Sequence, residues 1–152
     1  MLEFGLVVFF IVGLPYSTKD ADLKSVDFVK ELGIDGWWFN FVPYPYTQAW
    51  NWVQNHAKIL RSSDGALQFG TNSIDPVFET VEYSKEGRID VYNEIHIQLN
   101  YFDRLVDPSL RQLEKWQKVF KIVMPYGPKI IFMTLTFILK YNAKLILKKI
   151  KK

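Results

Sequence analysis

Glu94 and His96 are the two residues whose types and spacing best suit acid–base chemistry. They stand two positions apart in segment 88–101, where apolar and polar residues alternate, a pattern typical of a strand with one buried face. On such a strand both side chains share a face about 6.5–7 Å apart, a spacing that suits a general acid and base. The alternative is an ordinary solvated sheet face. We favour that alternative and assign no catalytic residue, because neither a nucleophile motif nor a glycine-rich phosphate loop accompanies the pair.

Metal and thiol chemistry are limited by the composition. The 152 residues include no cysteine and only two histidines, His56 and His96. This excludes Cys nucleophiles, disulfides and Cys-ligated zinc, and it leaves little for a His-based metal site. His56 falls among apolar residues such as Trp52 and Val53, so a structural histidine is the better interpretation. We therefore expect no metal and no cofactor.

The elements that position these residues follow from apolar runs, turns and capping signals. An apolar run over 4–14 predicts a buried strand, and a helix follows from the capping residues at 17–18 to Gly33. The later elements are a strand at 36–42, a helix from Thr47 to about residue 60, a short strand at 66–69, a hairpin of 77–83 with 88–101, and a helix from 107. The order predicts an α+β fold: a ferredoxin-like βαβα start followed by an antiparallel β-hairpin and a C-terminal helix.

Charge divides the chain into two parts. Residues 129–152 hold seven lysines and no acid, whereas residues 1–128 hold 12 basic and 16 acidic side chains. We therefore predict a single α+β domain over 1–124 and a basic, apolar C-terminal tail over 129–152. Electrostatic attraction to nucleic-acid phosphates is expected of the tail alone, because the remainder of the chain is acidic.

The first strand also carries a family resemblance. The sequence FFIVGLPYST at 9–18 runs from an aromatic strand into Gly-Leu, and DGWWF at 35–39 is the candidate for a second, aromatic motif. These segments resemble the two motifs of the RNA recognition motif (RRM) family. The resemblance implies a single-stranded RNA partner and base stacking by Phe10, Trp37 and Phe39 on the sheet face. The leading hypothesis is a non-enzymatic binding module for single-stranded RNA.

The tail supports a second hypothesis, a peripheral membrane or protein-interaction module of the adaptor or immunity type. As a helix the tail is basic and amphipathic, which suits an anionic membrane surface or an acidic partner. The alternative is a packed C-terminal helix with solvated lysines. The apolar runs at 4–14 and 130–139 are shorter than the about 20 residues of a membrane span, so we expect a cytoplasmic protein, at most peripheral to a membrane. The candidate contact residues are Lys140, Lys144, Lys148, Lys149, Lys151 and Lys152.

Overall fold

The computed structural model describes residues 6–61, 75–106 and 110–150, except the side chains at 145, 146 and 148–150. The protein is mixed α/β, the class that the sequence predicts. Contacts between Cα atoms divide the chain into two compact units, Met1–Ile95 and His96–Lys152. The strand expected at 66–69 and the helix start expected at 107 lie outside the described residues.

The first unit opens with a strand, a helix and a second strand. These are β1 (Val7–Val12), α1 (Lys19–Leu32) and β2 (Asp35–Asn40), and β2 pairs with β1 in parallel. The Thr18 hydroxyl caps α1 by accepting a backbone N–H of the first turn at 3.3 Å. Gly33 ends α1 at a φ of 61°, a left-handed conformation that glycine adopts without steric cost. The apolar run and the two capping signals thus predicted the strand and the helix, but β1 is not the buried strand that was expected, because Val7, Phe9 and Ile11 are exposed.

Helix α1 covers one face of the sheet. On that face Trp38 is 1% exposed, stacks on Phe10 with ring centroids 4.9 Å apart, and donates its indole N–H to Ser25 Oγ at 2.8 Å. Val26 and Val29 of α1 are buried in the same layer.

The opposite face of the sheet is open. Phe9 is 68% exposed and Ile11 is 49% exposed on β1, while Trp37 and Phe39 are half-buried beside them on β2. The rings of Phe9 and Phe39 lie 5.9 Å apart. We call these four residues the open sheet face. A parallel sheet is usually covered on both faces, so the open sheet face is an unusual apolar surface.

Between β2 and residue 80, the described part of the first unit contains a second helix and a short pair of antiparallel strands. Thr47 caps α2 (Gln48–His56), accepting the Trp50 N–H at 3.2 Å, as the sequence predicts. Strand β3 (Lys58–Ile59) pairs with β4 (Phe78–Glu79). A small core holds them together, formed by the buried Val53, Val77 and Phe78 with Phe41, Val42, Trp52 and Ala57 packed against them.

The hairpin expected over 77–101 is wrong, because Lys85–Gln98 forms a helix, α3. The buried residues Arg88, Val91, Tyr92 and Ile95 follow the spacing i, i+3, i+4, i+7 of a helix face. The helix is also buried at Asn93, His96 and Ile97, so its polar face is reduced to the narrow line of Glu86, Asp90, Glu94 and Gln98, which are exposed or half-buried. Alternation in such a segment mimics a half-buried strand.

The ferredoxin-like arrangement is not confirmed. In that fold the β-α-β unit is split, with another strand lying between its two strands. Here β1 and β2 are direct neighbours, with Phe9 opposite Trp37 and Phe10 opposite Trp38. The Glu94 and His96 pair is also separated, because residues two apart on a helix point about 200° away from each other.

The second unit is helical. A 3₁₀ turn at Phe102–Arg104 precedes α4 (Gln112–Val123), a second 3₁₀ turn at Met124–Tyr126 and α5 (Pro128–Ile150). Trp116, Val119 and Val123 of α4 are buried with residues of the 3₁₀ turn and α5 in one core. The tail expected over 129–152 is therefore a helix over its described length. Within the part of the chain that the structure describes, no helix combines the length and the apolar character needed to cross a membrane.

Candidate functional site

A cleft of about 430 Å³ lies at the carboxyl end of β1 in the first unit. In parallel sheets this is the edge at which ligands bind, since loops and helix N-termini converge there. Its walls come from the β1–α1 loop, from α2 and from the segment leading into α3. The lining residues are Leu14, Tyr16, Ser17, Thr18, Trp52, His56, Thr80, Glu82 and Arg88.

The β1–α1 loop is folded around the side chain of Asp22. The Gly13 N–H donates to Asp22 Oδ2 at 2.9 Å, and the Ser17 hydroxyl donates to Oδ1 at 2.5 Å. Gly13 has a φ of 76°, which a residue with a side chain rarely adopts. Asp22 itself is buried, so these hydrogen bonds compensate for the removal of its carboxylate from water.

Tyr83 joins the same carboxylate from a distant part of the sequence. Its hydroxyl donates to Asp22 Oδ2 at 3.0 Å across 61 residues of chain. Burial, and then the neighbouring Asp22 charge, raise the pKa of Tyr83 well above its usual value. The hydroxyl therefore remains a donor throughout the neutral range.

Arg88 places a buried cation on the lining of the cleft. The side chain is 3% exposed, yet Nη1 donates to the Gly13 carbonyl at 2.7 Å and Nε donates to the Tyr83 carbonyl at 3.1 Å. The rings of Phe78 and Tyr83 lie 4.4 and 4.5 Å from the guanidinium carbon. Burial lowers the pKa of Arg88, and the nearby Tyr83 and Asp22 oppose that shift. A guanidinium stays charged at neutral pH and carries five N–H donors, of which these two carbonyls take two.

Three aromatic side chains form one wall of the cleft, which we call the aromatic wall: Tyr16, Trp52 and His56. Tyr16 meets Trp52 edge-on at 4.9 Å, and Trp52 stacks on His56 at 5.2 Å with the planes 10° apart. His56 Nδ1 lies 2.9 Å from the Trp52 carbonyl. Because a carbonyl only accepts, Nδ1 carries the proton of this bond, and Nε2 is the acceptor of the neutral ring.

Trp52 also holds an unused donor. Its indole Nε1 is buried and meets no acceptor among the described residues. A buried donor without a partner costs about 1–3 kcal/mol.

The structure separates the residues that the sequence proposed for RNA contact. Trp37 and Phe39 belong to the open sheet face, as the prediction requires. Phe10 lies opposite Trp38 in the register and stacks on it beneath α1. The aromatic side chain of β1 that shares a face with Trp37 and Phe39 is Phe9.

None of the other predicted residues that the structure describes is part of the lining of the cleft. Glu94 forms an ion pair with Lys19 at 3.5 Å, while His96 is 1% exposed on another side of α3. Lys140 and Lys144 are exposed on α5 in the second unit. The side chains of Lys148, Lys149, Lys151 and Lys152 lie outside the described residues.

Sequence reasoning missed the cleft because its parts are far apart in the chain. Gly13, Asp22, Tyr83 and Arg88 span 76 residues, and the last two lie in the segment interpreted as a hairpin. The available signal was Gly13, a glycine directly after a buried strand and before a helix cap. His56, interpreted as a structural histidine, is exposed and lines the cleft.

Comparisons with protein-family models, with curated proteins and with solved structures found no match to this chain. Among the described residues, no group of three histidine, aspartate or glutamate side chains is placed to hold a metal ion. The chemistry of the cleft is therefore inferred from its own residues.

Gly13→Ala should destabilise the first unit more than Gly33→Ala does. Both residues have positive φ, 76° and 61°, so each alanine carries a backbone cost of about 1–2 kcal/mol. A Cβ at Gly33 meets no atom within 4 Å, whereas a Cβ at Gly13 would lie 1.9 Å from Arg88 Nη1. Displacing Arg88 should add about 1–3 kcal/mol through its lost hydrogen bonds. Urea unfolding of the two variants checks this, and equal losses would contradict the role of Arg88.

Tyr83→Phe should change how stability depends on alkaline pH. Because the pKa of Tyr83 is raised in the folded protein, the contribution of its protonated hydroxyl to the free energy of unfolding is fully present below about pH 10 and is lost as the pH rises. There the unfolded tyrosine ionises first, at a cost to folding of up to about 1.4 kcal/mol per pH unit. The free energy of unfolding, measured in urea from pH 7 to 11, should fall more steeply for the wild type than for the variant. Parallel curves would contradict the buried Tyr83 hydroxyl.

Proposed function

We propose that the first unit is a non-enzymatic binding module that holds a small organic molecule in the cleft. The ligand combines a planar ring with a carboxylate or another strong hydrogen-bond acceptor. The observation that carries this proposal is a buried, positively charged Arg88 on the lining of a cleft that also has an aromatic wall.

Arg88 accounts for the acceptor group. Its position is fixed by two carbonyl bonds and two aromatic rings, so little conformational entropy is lost when a ligand binds. Charge-assisted bonds from a guanidinium to a carboxylate are stronger than neutral ones. Glu82 also lines the cleft, and the Asp22 carboxylate shares the hydrogen-bond network of Arg88, so the cleft has no excess of positive charge, which favours a ligand of low net charge over a polyanion.

The aromatic wall accounts for the planar ring. Tyr16 is 82% exposed and so offers its ring to a ligand without rearrangement of a core. Aromatic pairs contribute about 0.5–1.5 kcal/mol beyond the area they bury. The hydroxyls of Ser17, Thr18 and Thr80 supply further polar contacts along the lining. The exposed surface of the cleft is nevertheless mainly apolar, as is typical of small-molecule sites.

Tyr16→Asn is expected to weaken ligand binding, and Tyr46→Asn is its matched control. Both tyrosines are exposed at positive φ, 64° and 67°, where asparagine is tolerated, but only Tyr16 lines the cleft. The test ligands are benzoate and nicotinate, and their binding to the full chain is measured by saturation-transfer NMR. Losing the Tyr16 ring should weaken binding about two- to twelve-fold.

Cyclohexanecarboxylate serves as the ligand control for this experiment. It keeps the carboxylate and removes the planar ring, so it should bind more weakly than benzoate. Equal binding of the two carboxylates, or equal loss in both asparagine variants, would place binding elsewhere than the aromatic wall. The absence of any saturable signal from the probes would contradict the proposed ligand class.

Single-stranded RNA binding is a second candidate, supported by the aromatic side chains of the open sheet face. Such rings suit base stacking, worth about 1–3 kcal/mol per base. Residues 1–95 contain 7 basic and 13 acidic side chains, so phosphate contacts would contribute little. Binding through this face would therefore depend weakly on salt.

Phe9→Ala should reduce RNA binding if the open sheet face is used. We expect the affinity for a ten-residue oligouridylate, measured by tryptophan quenching, to fall about five-fold or more. Phe28→Ala is the control, because Phe28 is also an exposed aromatic residue (47%) but lies on α1. Its ring centroid is 6.2 Å from that of Phe10, on the covered face of the sheet. Equal effects of the two variants, or no quenching by the wild type, would contradict RNA binding at this face.

A further inference from the structure

The helix α5 carries an apolar surface that its own unit leaves exposed. Phe132 and Leu139 are each 71% exposed and Leu135 is 45% exposed. Their spacing i, i+3, i+7 places them along one line of the helix. We call these three residues the apolar stripe. The opposite side of α5 is occupied, because Ile130, Met133, Phe137, Ile138 and Tyr141 pack on the core of the second unit.

Lysines follow one flank of the apolar stripe. Lys129, Lys140 and Lys144 are exposed. Helical geometry places Lys129 and Lys140 about 90–110° around the helix from the centre of the stripe, and Lys144 further round, at about 150°. A lysine at such an angle keeps its ammonium in water while its methylene chain runs along an apolar surface. The α5 surface is thus apolar along one line and cationic beside it.

The charge of the α5 segment indicates the kind of partner that suits the apolar stripe. The sequence from 129 to 152 contains seven lysines and no acid, so an anionic partner is required. A planar bilayer that contains anionic lipids offers an apolar interior and, next to it, a layer of negative headgroups. The apolar stripe of α5 matches the interior, and the lysines beside the stripe match the headgroups.

The length of α5 suits a helix lying in the membrane plane. Its 23 residues extend about 35 Å along the axis. One face of α5 is already occupied by the core of the second unit, so the remaining face contacts a surface along its length. Interfacial helices use this arrangement, burying one apolar side to the depth of the headgroup boundary.

We infer that the second unit docks on anionic membrane surfaces through α5, with the apolar stripe inserted at the headgroup boundary and the lysines on the lipid phosphates and carboxylates. The occupant of the stripe is a lipid bilayer and not a second protein. This role is independent of the cleft of the first unit.

Vesicle co-sedimentation of the full chain tests the inference. The vesicles are pure phosphatidylcholine and a 7:3 mixture of phosphatidylcholine with phosphatidylserine. We expect saturable binding to the mixed vesicles that weakens as salt is raised, and much weaker binding to the neutral ones. Equal binding to both, or binding to neither, would overturn the inference.

Matched variants locate the contact on α5. Leu139→Ser should weaken partitioning roughly ten-fold or more, whereas Leu113→Ser should not, although Leu113 is 74% exposed on α4. Lys140→Gln with Lys144→Gln should weaken it about 25-fold, since each lysine near an anionic surface contributes about five-fold. The control pair, Lys118→Gln with Lys121→Gln, changes exposed lysines of α4.

The same variants distinguish membrane docking from attraction by net charge alone and from self-association of the chain. Equal losses in the α4 and α5 variants would show attraction by net charge alone and overturn the placement on α5. Sedimentation velocity without lipid tests a second copy of the chain. A dimer that Leu139→Ser dissociates, with unchanged vesicle binding, would assign the apolar stripe to self-association and overturn the inference. Circular dichroism of each variant verifies that the helices are retained.

Discussion

The buried carboxylate of Asp22 is the constraint around which the first unit is organised. Its oxygens accept from the Gly13 N–H, the Ser17 hydroxyl and the Tyr83 hydroxyl. A buried charge is costly unless it is fully hydrogen-bonded, so these partners must adopt one geometry together. That requirement fixes the turn after β1 and ties it to the segment that precedes α3.

Arg88 extends the same network to the other side of the turn. It donates to the carbonyl of Gly13, the residue whose N–H is bonded to Asp22, and to the carbonyl of Tyr83, whose hydroxyl is bonded to Asp22. Two opposite charges are thus held close together through shared backbone without a direct ion pair. Low local dielectric strengthens such a network when every member is paired. The cleft opens beside it, so the groups that stabilise the turn also provide its polar lining.

Each unit leaves part of its apolar surface exposed, on a different kind of element. The first unit packs α1 on one side of a parallel sheet and leaves Phe9 and Ile11 exposed on the other. The second unit packs α4 and α5 around Trp116 and leaves the apolar stripe exposed. Exposed apolar patches of this kind usually mark surfaces of interaction. The stripe has flanking lysines, whereas the strands of the open sheet face, Val7–Val12 and Asp35–Asn40, contain none, so the two surfaces suit different partners.

Local signals in the sequence determined the elements with short-range causes: β1 from its apolar run, α1 from Thr18 and Gly33, and α2 from Thr47. Those signals act within a few residues, through backbone hydrogen bonds and backbone conformation. Only the tertiary structure decided that 85–98 is a helix, because burial on most of its sides leaves one narrow polar line, Glu86, Asp90, Glu94 and Gln98, which the alternation of polar and apolar residues obscures in the sequence. It also decided which face of β1 each phenylalanine occupies. The cleft depended on tertiary structure entirely, since Asp22, Tyr83 and Arg88 meet through long-range hydrogen bonds that leave no spacing pattern along the chain.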